Sequence, residues 1–184
     1  YKWEVWMSLE QKINNLETDL HIMGTLVLES LVSAVRALED KDTAKASEVM
    51  DKDDEIDDAY MKIDQDWFEL MATEQPVASD LRLSTSILQA SLHLERLGDL
   101  SVYLGKTTHE IHDLPIPESL HKIVVEMGDM VIDMASSALE SLKNRDAELA
   151  LSTARKDELI NSLYNKMLNE VPNISGNKDL YSGL

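Results

Sequence analysis

The sequence predicts an all-α chain of two tandem three-helix bundles, with long antiparallel helices and an incomplete second bundle. Three observations carry this expectation. Glycine and proline are scarce, with six and four copies in 184 residues. They fall at a few points along the chain, whereas an all-β chain needs a turn about every ten residues. Apolar residues recur at steps of three and four over long spans. Finally, the chain matches itself without a gap at an offset of 104 residues, the separation of Met23 from Met127.

The first helix is read from the stripe Ile13, Leu16, Leu20, Met23, Val27, Leu31, Ala34 and Leu38, which falls on one helical face. EDKD interrupts it, and Asp42 is placed to cap the next helix. That second helix is expected from about Thr43 to Met71, acidic through DKDDEIDD. At EQP the chain turns, and Pro76 suits the first turn of a third helix because its missing N–H has no helical partner there. The third helix is expected from about Val77 to Glu110 and contains HLERLGDL. Pro115 and Pro117 in HDLPIPES end it. A fourth helix is expected from about Ser119 to Lys143 and a fifth from about Ala147 to Glu170, with VPNISGN as a loop. The opening YKWEVWMS shows no clear pattern.

Self-comparison organises these elements. MGTLVLESLVSAVRAL (Met23 to Leu38) aligns with MGDMVIDMASSALESL (Met127 to Leu142), and the match continues through the next helix. Identical pairs include Gly24/Gly128, Val27/Val131, Asp42/Asp146, Lys52/Lys156, Asp53/Asp157, Ile56/Ile160 and Tyr60/Tyr164. Matching a glycine, a tyrosine and a capping aspartate in one frame indicates duplication. The expected units are residues 9–112 and 118–184. The third helix of the second would begin near Asp179-Leu180, matching Asp80-Leu81, and a second LERLGD would lie beyond Leu184.

Charge and composition restrict function. Thirty-five acidic and 17 basic side chains give a net charge of −18. This argues against nucleic-acid binding, which needs a basic footprint, and suits cations or basic protein partners. The absence of cysteine excludes disulfides and thiolate chemistry and fits an intracellular location. No signal peptide is visible, and no apolar run is expected to reach the ~18 residues of a membrane span. Phosphate-binding glycine loops and nucleophile elbows are also missing.

Glu95 and Asp99 lie four apart on one helix, so they are neighbours on a face and repel unless a cation intervenes. Asp53 and Asp57 repeat that spacing on the preceding helix. If the two helices pack antiparallel, the pairs face each other, a donor set for Mg²⁺, Ca²⁺, Mn²⁺ or iron. In the second unit Asp157 persists, but Asn161 replaces the second aspartate. Asp129 and Asp133 form another acidic pair. Arg82 and Arg96 could neutralise some carboxylates instead. Gly98 costs about 1 kcal/mol relative to alanine inside a helix, implying close helix approach or open space beside the carboxylates. Glu118 and His121 form one Glu-x-x-His step, but a di-iron bundle needs two, so a helix start is the preferred reading. His109 and His112 near a helix C-terminus favour its dipole. Met127 and Met130 are expected to fill core.

With the repeat, MGTLVLES, DKDDEIDD, EQPVASDLR and LERLGD in view, the chain from about Leu9 onward resembles the PhoU family of phosphate-uptake regulators. The departures are Asn161 and the missing second LERLGD. The resemblance implies a non-enzymatic, cytoplasmic negative regulator of phosphate uptake and the phosphate-starvation response. It implies an adaptor between the ATPase subunit of a phosphate ABC transporter and a membrane sensor histidine kinase. It also implies metal (iron, zinc, manganese or magnesium) on Glu/Asp-x-x-x-Asp motifs, here Asp53, Asp57, Glu95 and Asp99, with Asp157 as half of a second site. Homodimerisation is a further expectation. The alternatives are an accessory helical domain of a phosphate transporter and, third, a carboxylate-bridged metalloenzyme bundle.

Overall fold

A computed structural model describes residues 7–174, which form seven helices and no strand. They are α1 (Leu9–Asp40), α2 (Thr43–Asp51), α3 (Asp53–Glu74), α4 (Ala78–Ile111), α5 (Glu118–Asn144), α6 (Ala147–Arg155) and α7 (Asp157–Ile174). The expected helix from Thr43 to Met71 is thus two helices, broken at Lys52, whose backbone leaves the helical well at φ −93°, ψ 0°. The expected fifth helix breaks at the repeat-equivalent Lys156. Periodicity cannot register such a one-residue interruption, because the apolar stripe runs on through it. Two further boundaries differ. Pro76 precedes α4, whose N-cap is Val77, so it ends the turn and does not enter the helix. Residues 171–174, read as loop, continue α7. The start expected near Asp179-Leu180 and the first six residues of YKWEVWMS lie outside the described residues.

Local chemistry sets the turns. Ser8 and Gln11 form a reciprocal capping box at the start of α1. α1 ends at Lys41 in the left-handed region (φ 52°), and the Asp42 side chain accepts from the Lys45 backbone N–H at 3.0 Å to cap α2. The second unit repeats the turn: Arg145 has φ 54°, and Asp146 accepts from the Leu149 N–H at 2.9 Å.

α1 is the central core helix, packed on α2, α3, α4 and α5. Its stripe from Ile13 to Val27 joins Ile56, Ile63 and Leu70 of α3 and Ile87 and Leu94 of α4 in one buried cluster, while Leu31 and Val35 join Val125 of α5 in a second. By length and composition α1 is the one helix among the described residues apolar enough to cross a membrane, contrary to the expectation that no run approaches that length. Its apolarity is accounted for by burial in this core.

α4 meets the core through two seven-residue progressions. Ser84, Ser91, Gly98 and Gly105 form one, and Ile87, Leu94, Ser101 and Thr108 the other, all buried. The seam is mostly small residues, which lets the backbones approach closely. A Cβ on Gly105 would lie 3.0 Å from the Ala46 carbonyl oxygen. The four buried hydroxyls each donate to a carbonyl three or four residues back, at 2.8–3.2 Å, so the seam leaves no orphaned donor.

The two units meet across α1 and α5, antiparallel. A Cβ on Gly24 would lie 2.8 Å from Leu139, and one on Gly128 would lie 2.7 Å from Val35. Positions 24 and 128 are repeat equivalents, as are 35 and 139. One contact is therefore made twice in opposite senses, the signature of an approximate internal two-fold axis.

The second unit is less covered. α4 lies over α1, α2 and α3, while among the described residues no equivalent helix lies over α5, α6 and α7. Ile63 is fully buried, but its equivalent Met167 is half-exposed, and Leu159 and Leu168 are 58% and 47% exposed. Met127 and Met130 are likewise half-buried, not fully enclosed as core filling implies.

Candidate functional site

α3 opens with Asp53, Asp54 and Glu55. Acids in the first turn complement the partial positive charge of a helix N-terminus. α3 runs antiparallel to α4, and Ile56 sets their spacing. A Cβ on Gly98 would lie 3.1 Å from the Ile56 Cγ2 atom and 3.2 Å from its Cδ1 atom. Of the two roles open to Gly98, the structure selects close approach.

This register brings the two acidic pairs into one field. Asp53 holds its proton to higher pH than an ordinary aspartate, first through partial burial and then through repulsion from Asp57 and Asp99. Glu95 is raised too, by partial burial first, then by Asp99 and Asp57, with Arg96 acting weakly the other way. Asp53, Asp57 and Glu95 are half-buried and Asp99 is exposed. Among the described residues none of the four accepts an ion pair, and neither Arg82 nor Arg96 forms one with any acid. Among the described residues, too, no three Asp, Glu or His side chains already stand in the arrangement of a closed metal site. The quartet is an open acidic face of hard oxygen donors with no ion-paired base among the described residues, although Lys106 and Arg96 act against the rise at Asp53 and Glu95 respectively.

The sign of its pH dependence follows. A carboxyl group whose folded-state pKa is raised contributes stability that is complete below the unfolded value, about pH 4, and is lost as pH rises through the folded value. The contribution of Asp53 and Glu95 to the melting temperature of metal-free protein is expected to fall as pH rises from the acid side through the carboxylate range. Asp53→Asn with Glu95→Gln should flatten that dependence relative to the parent chain in calorimetric scans. Curves of the same slope in parent and variant would show that the repulsion has no energetic weight.

The other candidate residues are engaged elsewhere. Asp129 pairs with Arg36 at 2.5 Å and Asp133 with Lys156, so each is neutralised from a neighbouring element and they do not act as a free acidic pair. Asp157 accepts from the Asn161 side-chain amide at 2.9 Å, so the substitution turns a like-charge pair into a hydrogen bond. Glu118, the first residue of α5, pairs with Lys122, which lowers its pKa. His121 Nε2 lies 2.9 Å from the Glu39 carbonyl oxygen. These partners support the helix-start reading of the Glu-x-x-His step. His109 Nε2 meets the Ser47 hydroxyl at 3.0 Å, and His112 pairs with Asp113 at 2.8 Å.

Fold and site define a duplicated all-α bundle bearing an acidic face on one antiparallel helix pair. A family model described as the PhoU domain matches residues 20–108 and 124–182. The second match starts 104 residues after the first, at the offset of the internal repeat. The chain belongs to the PhoU family.

Phosphate-specific transport system accessory protein PhoU homologues from Pseudomonas putida and Clostridium acetobutylicum are each 32% identical to the chain, over 160 and 169 residues. The alignments cover 87% and 90% of this chain, and 62% and 75% of the relatives. The chain thus spans less than two thirds of the length of the Pseudomonas putida protein. The crystal structure of PhoU from Pseudomonas aeruginosa superposes with a TM-score of 0.87 at 30% identity, covering 91% of this chain and 80% of that one. The phosphate transport system regulatory protein PhoU from Streptococcus pneumoniae gives 0.82 at 29% identity, covering 91% and 78%.

Proposed function

We propose that the chain acts as a cytoplasmic negative regulator of phosphate uptake and the phosphate-starvation response. It serves as an adaptor between the ATPase subunit of a phosphate ABC transporter and a sensor histidine kinase, and it is not an enzyme. Family membership supports the phosphate-transport setting. The acidic face of α3 and α4 supports the second part of the proposal, a bound metal ion held by Asp53, Asp57, Glu95 and Asp99. The carrying observation is that Asp53 and Glu95 hold their protons to higher pH, through partial burial first and then through repulsion from the neighbouring carboxylates, while none of the four forms an ion pair among the described residues. A divalent or trivalent cation relieves that repulsion, and oxygen donors suit magnesium, manganese, iron or zinc. Asp157, already bound to Asn161, offers a single carboxylate to a second site. An isologous pair of chains is the proposed assembly.

Two measurements test the proposal separately. Protein purified without chelator is expected to carry metal by inductively coupled plasma analysis, and Glu95→Ala with Asp99→Ala should release it. Unchanged stoichiometry in that variant removes the ligand assignment. For the adaptor role, pull-down with the transporter ATPase at low and high phosphate should show association under at least one condition. Its absence under both counts against the regulatory reading and leaves the metal result standing.

A further inference from the structure

A concavity on the first unit is lined by none of the four carboxylates of the quartet. It is a cleft of about 480 Å³ between α1 on one side and the α2–α3 bend on the other. Its floor is apolar, with Leu26, Val32, Val49 and Ile56. Its rim carries Glu29, Glu48 and Glu55 against the single base Lys52, all four exposed. Val32 stands 39% open to solvent.

The internal repeat pairs the charges that stand apart in this cleft. In the second unit the equivalents of Glu29 and Lys52 are Asp133 and Lys156, which tie α5 to the α6–α7 break in an ion pair. In the first unit Lys52 makes no ion pair among the described residues. The rest of the cleft chemistry is also particular to the first unit: Glu48, Val49 and Glu55 become Ser152, Thr153 and Leu159.

From this geometry we propose that the α1/α2–α3 cleft is a docking groove for a short basic amphipathic helix of a protein partner. Three features select that occupant. The apolar floor takes an apolar face, as in helix-in-groove recognition. The rim has three negative charges and one positive, on a chain of net charge −18, so lysine or arginine flanking the apolar face is attracted and an acidic peptide repelled. The walls are helices and offer no strand to pair with, so a buried partner must satisfy its own backbone. An extended strand finds no open sheet edge among the described residues, whereas a helix needs none. The proposal does not depend on metal at the α3/α4 face.

The test uses the full chain in chelator and a fluorescently labelled peptide of about four helical turns, with leucines on one face and lysines flanking them. Fluorescence anisotropy should show saturable binding. Glu48→Lys with Glu55→Lys, and separately Val32→Asp, should each weaken it by about tenfold or more. Glu158→Lys, exposed on α7, should leave it unchanged. All these substitutions are at exposed positions, and circular dichroism would establish that the variants keep their helix content. The proposal is overturned by a lack of saturable binding, by equal affinity for the double variant or for Val32→Asp, or by equal loss in Glu158→Lys. Equal binding of a scrambled peptide of the same composition also overturns it, since only net charge would then be recognised.

Discussion

Valine in place of Gly128 is expected to destabilise the chain by about 2 kcal/mol and to weaken the attachment of its two units. A Cβ alone at this position would stand 2.7 Å and 3.0 Å from the two methyl carbons of Val35. Val35 is buried and β-branched, so a helix leaves its side chain essentially one rotamer, and it cannot turn aside. The twin substitution Gly24→Val meets the ends of the half-buried Leu139 side chain, which can swing about two torsions. It should cost less. Urea titrations of the two variants make the comparison. A Gly24→Val loss equal to or larger than that of Gly128→Val would contradict the rotamer argument. A second transition appearing only in Gly128→Val would mark separation of the units.

Truncating Ile63 to alanine should cost more, about 3 kcal/mol. Ile63 has no exposed surface and joins α3 to the cluster shared by α1 and α4. Alanine removes its apolar contacts and leaves a cavity that three packed helices cannot readily collapse. Met167→Ala, at the equivalent half-exposed position, should cost about 1 kcal/mol or less, because burial there is partial. Chemical denaturation of both variants reads the difference directly. Equal losses would mean that the two units are equally enclosed in solution.

Much of this architecture was legible because its signals are periodic. The stripe from Ile13 to Leu38 gave α1, and Asp42 and Asp146 marked the starts of α2 and α6, since a capping aspartate before an apolar run has one common use. The frame of the repeat placed both turns. The breaks at Lys52 and Lys156 were missed because each is one residue long and neither carries glycine or proline. The α4 seam was also missed. Serine, glycine and threonine at seven-residue spacing read as polar or neutral on a hydropathy scale, so a search for apolar positions passes over a buried face made of small residues. That spacing was itself the available signal.

At the acidic face, the antiparallel register of Asp53 and Asp57 with Glu95 and Asp99 follows from the order of elements and a short turn. The fates of Asp129 and Asp133 could not be read in the same way. Their partners, Arg36 on α1 and Lys156 at the α6–α7 break, lie on other elements, and only the packing of those elements on α5 brings them within reach.

The thinner cover over α5, α6 and α7 among the described residues has a kinetic consequence. Regions with less buried apolar surface open at lower free energy than the fully enclosed core. Backbone amides of α6 and α7 should therefore exchange with deuterated solvent well before those of α1 and α4, although the two halves share one ancestral pattern. The chain is one sequence unit written twice but two units of unequal lifetime, and an added helix that seats on α5–α7 should be detected first as slowed exchange there.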